Sequence, residues 1–277
     1  MNRWITAGLG TAAAVALTLG AAGAAFAGSD DDDRRLQAVG LTADQQLVTF
    51  AVDKPGRVRT AGKVTGLQSD TRLVGVDYRV QDGKLYGVGD AGGVYTLVVR
   101  GAKATKVSQL AVALNGTSFG VDFNPAADRL RIVSDTGQNL RHDVNAGGTT
   151  VADATLTIPP ATTPATGVTA VAYTNNDLSP DTATTLFDLD TTLDQIAVQA
   201  PANAGLLSPT GKLGVDAGAE AGFDIYTDAD ATGFAALQVG GRNVLYRISL
   251  LSGRADQLGR FPATVTVTDL ALPLGQS

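Results

Sequence analysis

Four aspartates recur at matching places in short, strand-like segments, and carboxylates repeated in this way are the first candidates for chemistry. Asp77 lies in Val-Asp-Tyr, Asp122 in Val-Asp-Phe, Asp224 in Phe-Asp-Ile and Asp269 in Thr-Asp-Leu. If they converge, they raise one another's pKa and offer the oxygen ligands that Ca²⁺ prefers. If each only accepts backbone N–H groups from a neighbouring strand, the same recurrence is expected. A metal site at these four residues and a purely structural role are both open.

A second polar set surrounds one predicted hairpin. It consists of Arg131, Asp135, Gln138, Asn139 and Arg141. Arginine offers planar donors that match carboxylates and phosphates, so the set predicts a binding site for an anionic ligand or a sugar. A hairpin turn whose aspartate binds its own backbone, flanked by outward arginines, has the same composition and is the alternative interpretation.

Two acidic segments have the character of calcium loops. One spans residues 228–233, and the other contains Asp188, Asp190 and Asp194. An EF-hand loop needs a later bidentate glutamate, and Glu220 is the only glutamate in the chain. We therefore expect both segments to be solvated turns.

The elements that position these residues are short strands in a fixed repeat. The four aspartates and Ala172 are spaced by 45, 50, 52 and 45 residues, which is the length of a propeller blade. Turns such as Gln81-Asp82-Gly83 predict hairpins between them. No stretch after residue 27 shows a helical period of helical length, so the sequence predicts an all-β fold.

The two ends of the chain complement each other. Residues 36–64 contain a second, third and fourth strand without a first, whereas residues 265–272 supply a first strand with nothing after it. Joined, they make one blade. This predicts a closed β-propeller of five four-stranded blades in which the C-terminal strand completes the N-terminal blade and removes exposed sheet edges. Six blades or an irregular sandwich are the alternatives.

The first residues predict export. Asn2 and Arg3 precede an apolar run, and Ala25-Phe26-Ala27 is a small-x-small cleavage site, as in a secretory signal; a membrane anchor is the alternative. The predicted organisation is a signal peptide over 1–27, an acidic disordered tail over 28–35 and one propeller domain over 36–274, in a secreted or periplasmic protein. Removing Arg3 leaves a net charge of −7, one below the −6 of the whole chain. Such a surface repels nucleic acid and anionic membranes, so neither is an expected partner.

One long stretch of the third unit is distinctive. Residues 120–125 read Gly-Val-Asp-Phe-Asn-Pro, and residues 128–141 continue from Asp128-Arg129-Leu130 to Asn139-Leu140-Arg141. This stretch resembles the bacterial family known as domain of unknown function 4394, and weaker matches extend the resemblance over residues 36–272. The resemblance implies a secreted, propeller-like domain and no catalytic residues, since the family has no established activity. Ala172 departs from the pattern, because sister units carry aspartate there.

Catalytic parts are scarce in this chain. Cysteine is absent and His142 is the only histidine, which excludes thiol catalysis and a multi-histidine zinc site. Paired carboxylates can hydrolyse glycosides, but an aromatic content of 5% argues against a sugar-stacking cleft. The sequence favours a non-catalytic binding or scaffold module for a small molecule, polymer or extracellular protein, with no cofactor unless Ca²⁺ is bound. A hydrolase or lyase that uses the central carboxylates, with or without a metal, is the alternative.

Overall fold

A computed structural model describes residues 35–274 of the protein, apart from residues 176, 180 and 229. Their regular secondary structure consists of strands and one short 3₁₀ turn at Ala202–Ala204. The predicted signal peptide and all of the predicted acidic tail except Arg35 lie outside the described residues. From Arg35 onwards the chain forms one compact unit. No helix in this described part is long and apolar enough to cross a bilayer.

The described residues form twenty strands in five antiparallel sheets of four, which we call blades 1 to 5. Blade 1 contains β1 (Gln37–Thr42), β2 (Gln46–Ala51), β3 (Arg59–Lys63) and β20 (Val267–Ala271). Blade 2 contains β4 (Leu73–Arg79), β5 (Lys84–Gly89), β6 (Gly93–Val98) and β7 (Lys103–Gln109). Blade 3 contains β8 (Phe119–Asn124), β9 (Arg129–Ser134), β10 (Asn139–His142) and β11 (Thr150–Ala152). Blade 4 contains β12 (Val168–Tyr173), β13 (Leu186–Asp190), β14 (Gln195–Gln199) and β15 (Leu207–Lys212). Blade 5 contains β16 (Ala221–Thr227), β17 (Ala231–Val239), β18 (Arg242–Ile248) and β19 (Ala255–Arg260).

The ring is closed by the two ends of the described chain. Strand β20 pairs with β1, placing Ala271 opposite Val39 and Asp269 opposite Leu41. The innermost strands β20, β4, β8, β12 and β16 contact one another in that cyclic order, and β16 contacts β20 again. The prediction of an all-β ring of five four-stranded blades, completed by the C-terminal strand, is confirmed.

The hydrophobic core lies between neighbouring blades. Because side chains alternate across a strand, each blade presents apolar residues to the blade on either side. The rings of Phe50 in blade 1 and Phe261 after blade 5 meet edge to face at 5.0 Å. Tyr86 of blade 2 and Phe123 of blade 3 meet in the same way at 5.1 Å. These contacts join neighbouring blades.

The inner strands approach one another closely at glycine positions. A Cβ on Gly120 would lie 2.6 Å from the backbone nitrogen of Val171 on the next blade. Only glycine allows this approach of two backbones. The close packing of β8 against β12 brings the carboxylate of Asp122 to the backbone N–H of Tyr173 on β12.

Candidate functional site

Three of the four repeated aspartates meet at the axis of the ring. Carboxylate oxygens of Asp77, Asp122 and Asp224 lie within 4.8 Å of one another, and all three residues are buried. They come from β4, β8 and β16, so the closure of the ring is what brings them together. We call these three residues the carboxylate hub.

Each hub carboxylate accepts a backbone N–H from the next inner strand. Asp77 Oδ2 accepts from Phe123 at 2.7 Å, and Asp122 Oδ1 accepts from Tyr173 at 3.1 Å. Asp224 Oδ2 accepts from Leu272 at 2.6 Å, just beyond the end of β20. The hub therefore joins neighbouring blades, which is the structural role that recurrence in a repeat also predicts.

Asp269 is not equivalent to the other three aspartates. Each hub carboxylate accepts the N–H of the residue that follows the matching position on the next strand, which is Asp122, Ala172 or Ala271. Asp269 Oδ2 instead accepts the N–H of Val76, the residue before Asp77, at 2.7 Å. The glycine contacts show the same offset. Gly222 lies against Cα of Asp269 as Gly120 lies against Cα of Ala170, and Ala170 is two residues before the hub position Ala172. Asp269 thus lies two residues earlier on its strand than the hub positions. The irregular pairing of β1 with β20 at Leu41 and Thr42 accompanies this shift.

Burial governs the protonation of the hub. It raises the pKa of Asp77 and Asp122 well above the usual value of 3.8, and neighbouring carboxylates raise both pKa values further. Burial raises the pKa of Asp224 to about 7, against the effect of its two backbone hydrogen bonds. Burial also raises the pKa of Asp269 well above its usual value. At neutral pH the hub must therefore retain protons or hold a compensating cation.

The five residues of the predicted ligand site are bonded within the protein. Arg131 is buried, and its guanidinium donates to Asn139 Oδ1 at 2.6 Å and to Asp153 Oδ2 at 2.8 Å. Arg141 Nε donates to Asp153 Oδ1 at 3.0 Å. These bonds hold blade 3 together and tie it to blade 4, where Arg131 Nη2 donates to Asn203 at 2.8 Å.

Asp135 and Gln138 accept backbone hydrogen bonds from the segment that precedes β8. Asp135 Oδ1 accepts the N–H of Thr117 at 2.9 Å, and Gln138 Oε1 accepts that of Asn115 at 2.9 Å. The hairpin is present, but Arg131 is buried rather than outward, and Asp135 accepts from Thr117 rather than from its own turn. Ligand binding at these residues stays a prediction.

The expectation of solvated acidic turns is wrong for part of blade 4. Asp188 and Asp190 lie on β13 and are 0% and 1% exposed. The side chain of Asp194 is half-buried, and its Oδ1 accepts the N–H of Ala217 at 2.8 Å. Asp228 and Asp230 are exposed, as expected. The alternation Phe187-Asp188-Leu189-Asp190 is that of a strand with one polar face, but here a neighbouring blade covers that face.

A polar pocket lies at the end of the ring where the inner strands begin. We call it the mouth pocket. Its volume is about 80 Å³; by the same measure one water needs roughly 10–15 Å³. All five blades contribute, through Gln45, Arg72, Thr117, Ser118, Thr169, Glu220 and Thr268 among others. None of the hub aspartates is among the lining residues.

Two charged side chains of opposite sign line the mouth pocket. Arg72 precedes β4 and Glu220 precedes β16, and both are exposed. Among the ion pairs of described residues, none joins Arg72 to Glu220. Sequence reasoning missed this pair, although the solitary glutamate of the chain is a signal that could have pointed to it.

Ser118 also lines the mouth pocket, within the sequence Gly116-Thr117-Ser118-Phe119-Gly120. This matches the Gly-x-Ser-x-Gly pattern of hydrolases, whose serine sits on a strand-to-helix turn. Here the sequence leads into strand β8 instead. The only histidine, His142, is fully buried and bonds Ser108 Oγ at 2.8 Å and Thr150 Oγ1 at 2.9 Å. The serine pattern is therefore not part of a histidine-assisted nucleophile.

The fold defines a class: a five-bladed β-propeller in which the first blade is built from both ends of the described chain. Within that class the chain belongs to the family described as Domain of unknown function (DUF4394), which matches residues 46–271. No curated protein matches the chain.

Several solved structures are similar to the chain in fold alone. A chain of a nidogen/laminin complex shares 9% identity, with a TM-score of 0.49 over 87% of this chain and 99% of that chain. A protein of unknown function from Bacteroides thetaiotaomicron shares 14% identity, with a TM-score of 0.49 over 86% of this chain and 64% of that chain. A protein from Lactobacillus plantarum shares 18% identity, with a TM-score of 0.40 over 81% and 66%.

Proposed function

We propose that this protein is an exported, non-catalytic binding module that takes a small zwitterionic ligand in the mouth pocket. The observation that carries the proposal is that Arg72 and Glu220 both line one pocket to which all five blades contribute. Concave sites with a few convergent polar groups are the usual sites for small ligands. A molecule with one carboxylate and one ammonium group complements both charges at once.

The other polar groups of the pocket set its shape. Gln45 is held rigidly, because its Nε2 donates to the carbonyl of Leu73 at 3.1 Å while its Oε1 accepts the N–H of Leu73 at 2.7 Å. Thr268 Oγ1 donates to the carbonyl of Leu41 at 3.2 Å. These residues form a preorganised wall, which reduces the cost of binding. Arg72 and Glu220 are therefore the groups that determine which ligand binds.

A thermal-shift experiment with small charged probes tests this proposal. Glycine and L-alanine at millimolar concentration are expected to raise the Tm, because a ligand that binds only the folded state stabilises it. Acetate and methylamine carry one of the two charges each and are expected to give a smaller shift. No shift with any of several L-amino acids would overturn the proposal.

Charge-removing variants locate the site. Arg72→Gln and Glu220→Gln are each expected to abolish the shift without lowering the Tm of the free protein. Arg100→Gln removes an exposed positive charge that does not line the mouth pocket, and it is expected to keep the full shift. A shift that survives Arg72→Gln would assign the ligand to another place.

Export is part of the proposal and rests on residues 2–27. Their basic start, apolar run and small-x-small site are those of a cleaved secretory signal. N-terminal sequencing of protein recovered outside the cytoplasm is expected to begin at Gly28. Retention of an intact N-terminus in the membrane fraction would favour the anchor instead.

A second candidate is a cation in the carboxylate hub, favoured by the 4.8 Å limit between its oxygens. Ca²⁺ binds oxygen ligands at about 2.3–2.6 Å, so oxygens on opposite sides of the ion fit this spacing. Such a cation would stabilise the ring. Calcium is expected to raise the Tm above pH 7, where Asp224 loses its proton, and Asp224→Asn is expected to weaken that response.

A further inference from the structure

A second pocket lies between blade 5 and blade 1, and we call it the interblade pocket. It is lined by residues of all four strands of blade 5 and by the residues that follow β2. The mouth pocket includes Ala221 at the start of β16, whereas the interblade pocket includes Tyr226 near its end, so the two lie at opposite ends of the ring. The volume of the interblade pocket is about 470 Å³, within the range of roughly 300–1,000 Å³ that is usual for small-molecule sites.

The floor of the interblade pocket is apolar. Val52 and Phe234 are 9% and 8% exposed. Tyr226 and Leu258 are half-buried and pack against the same hydrophobic cluster, which joins blade 5 to blade 1. Tyr226 is paired with Thr232 on β17, two residues before Phe234, so both aromatic side chains lie on the same face of blade 5. A ligand in this pocket therefore meets two aromatic rings and two aliphatic side chains.

The rim of the interblade pocket is acidic. Asp228 and Asp230 lie in the turn between β16 and β17, and both are exposed. No ion pair among the described residues involves either of them. Asp53 follows β2, is also exposed, and has its Oδ2 3.3 Å from Nε of Arg35. Arg247 is the one positive side chain among the described lining residues. Carboxylates therefore outnumber the positive groups even when Arg35 is counted.

The floor and the rim together indicate the class of ligand. The three rim aspartates do not form a group whose oxygens all lie within 4.8 Å of one another, as the described hub residues do, and an apolar floor offers no oxygen ligands to a metal ion. An apolar ligand body is stabilised by leaving water for this floor. A positive group on that body is attracted by the rim carboxylates and by the faces of the aromatic rings.

We propose that the interblade pocket binds an organic cation, a primary amine with an aromatic or aliphatic body. The amine lies among Asp53, Asp228 and Asp230, and the body lies on Tyr226 and Phe234. Because blade 5 and blade 1 both line the pocket, the bound ligand contacts both blades where the ring is closed, and it stabilises the closed ring. The site is independent of the ligand proposed for the mouth pocket.

Calorimetric titration and thermal shift with 2-phenylethylamine test this inference on the full mature chain. The amine is expected to bind and to raise the Tm. 2-Phenylethanol and 3-phenylpropionate carry a similar aromatic body with no charge and with a negative charge, and both are expected to bind more weakly. The inference would be overturned by a lack of amine binding, or by 3-phenylpropionate binding as tightly as the amine.

Variants of the rim and the floor locate the site. The double variant Asp228→Asn, Asp230→Asn removes two charges from an exposed turn, and it is expected to weaken amine binding about tenfold without lowering the Tm of the free protein. Tyr226→Leu removes one aromatic face and is expected to weaken binding about threefold. Asp181→Asn is the matched control, because Asp181 is exposed in the corresponding turn of blade 4 and does not line the pocket. It is expected to keep the full affinity.

A competition experiment separates this site from the mouth pocket. Glycine, the probe for the mouth pocket, is expected to leave the affinity for 2-phenylethylamine unchanged, because the two pockets share no lining residue. Displacement of the amine by glycine, or full affinity retained in the double variant, would overturn the inference. The result with the double variant holds whether or not glycine binds.

Discussion

The carboxylate of Asp224 accepts the backbone N–H of Leu272 at 2.6 Å, and this bond joins blade 5 to the strand that closes the ring. The other oxygen of Asp224 accepts the N–H of Ile225 at 2.6 Å. Residue 172 on the preceding blade is alanine and has no carboxylate to bond Ile225. Asp224 thus accepts the N–H of Leu272 on the next strand and also that of Ile225, which an aspartate at residue 172 would otherwise bind.

Replacing Asp224 by alanine is expected to destabilise the protein substantially. Two buried N–H groups would lose their acceptor, and each such loss costs about 1–3 kcal/mol, so we expect a fall of about 3 kcal/mol in the free energy of unfolding at pH 5. Asp224→Asn keeps one oxygen for Leu272 and is expected to lose less. Urea denaturation compares the two variants, and equal stability of Asp224→Ala and wild type would contradict this role.

The raised pKa of Asp224 makes the stability of the ring depend on pH. Its folded pKa is about 7 and its ordinary value is 3.8, so the folded protein holds a proton that the unfolded chain has released between these values. The corresponding stability is complete below about pH 4 and is lost as the pH rises through 7. We expect Asp224→Asn to gain about 2–3 kcal/mol relative to wild type between pH 5 and pH 8.

The comparison with Asp224→Asn separates this effect from groups of opposite sign. The pKa of Asp128 is lowered, first by its hydrogen bond with Arg79, and it favours the folded state at higher pH. Such groups are present in both the wild type and Asp224→Asn, so their contributions cancel when the two free energies of unfolding are subtracted. A difference that does not change with pH would show that Asp224 is not protonated in the folded protein.

His142 is expected to stay neutral at pH values below 6.5 at which a free imidazole would be protonated. Burial lowers the pKa of its imidazole, so the folded state disfavours the charged form. Its contribution to stability is present above pH 6.5 and is lost as the pH falls through that value towards the folded pKa. Because this histidine is the only one in the chain, its ring proton can be followed by NMR without assignment, and a midpoint at or above 6.5 would contradict the prediction.

The pair between Arg79 and Asp128 is expected to stabilise the contact of blades 2 and 3. Arg79 Nε and Nη2 donate to the two oxygens of Asp128 at 2.7 and 2.5 Å. A lysine cannot form this fork, so Arg79→Lys is expected to cost about 1–2 kcal/mol. Arg254→Lys is the control, because Arg254 and Asp256 form an exposed pair, and its cost is expected to stay below about 0.5 kcal/mol.

The ring could be predicted from sequence because its repeat is visible in local patterns. Hairpin turns recur at a blade's spacing, and the ends of the chain lack complementary strands. These signals depend on neighbouring residues and on counting, so no knowledge of packing was needed to place β20 beside β1.

The site could be predicted only in part, because it depends on packing between blades. The convergence of Asp77, Asp122 and Asp224 follows from ring symmetry, but the displacement of Asp269 comes from an irregular pairing that Thr-Asp-Leu does not reveal. Asp188 has the pattern of an outward-facing strand residue, and only the position of blade 3 shows that it is covered. Arg72 and Glu220 are 148 residues apart in the chain, and no local pattern relates them.

Blade 1 takes its inner strand from residues 267–271 and the rest from residues 37–63. During synthesis β1 to β3 must therefore wait, with the inner edge of β1 uncovered, until the last strand has left the ribosome. The slowest step of folding is expected to be the pairing of β1 with β20, because it joins the most distant segments. Until that pairing occurs, the edge of β1 can pair with another chain. Misassembly of this ring is therefore expected to increase with the concentration of newly made chains.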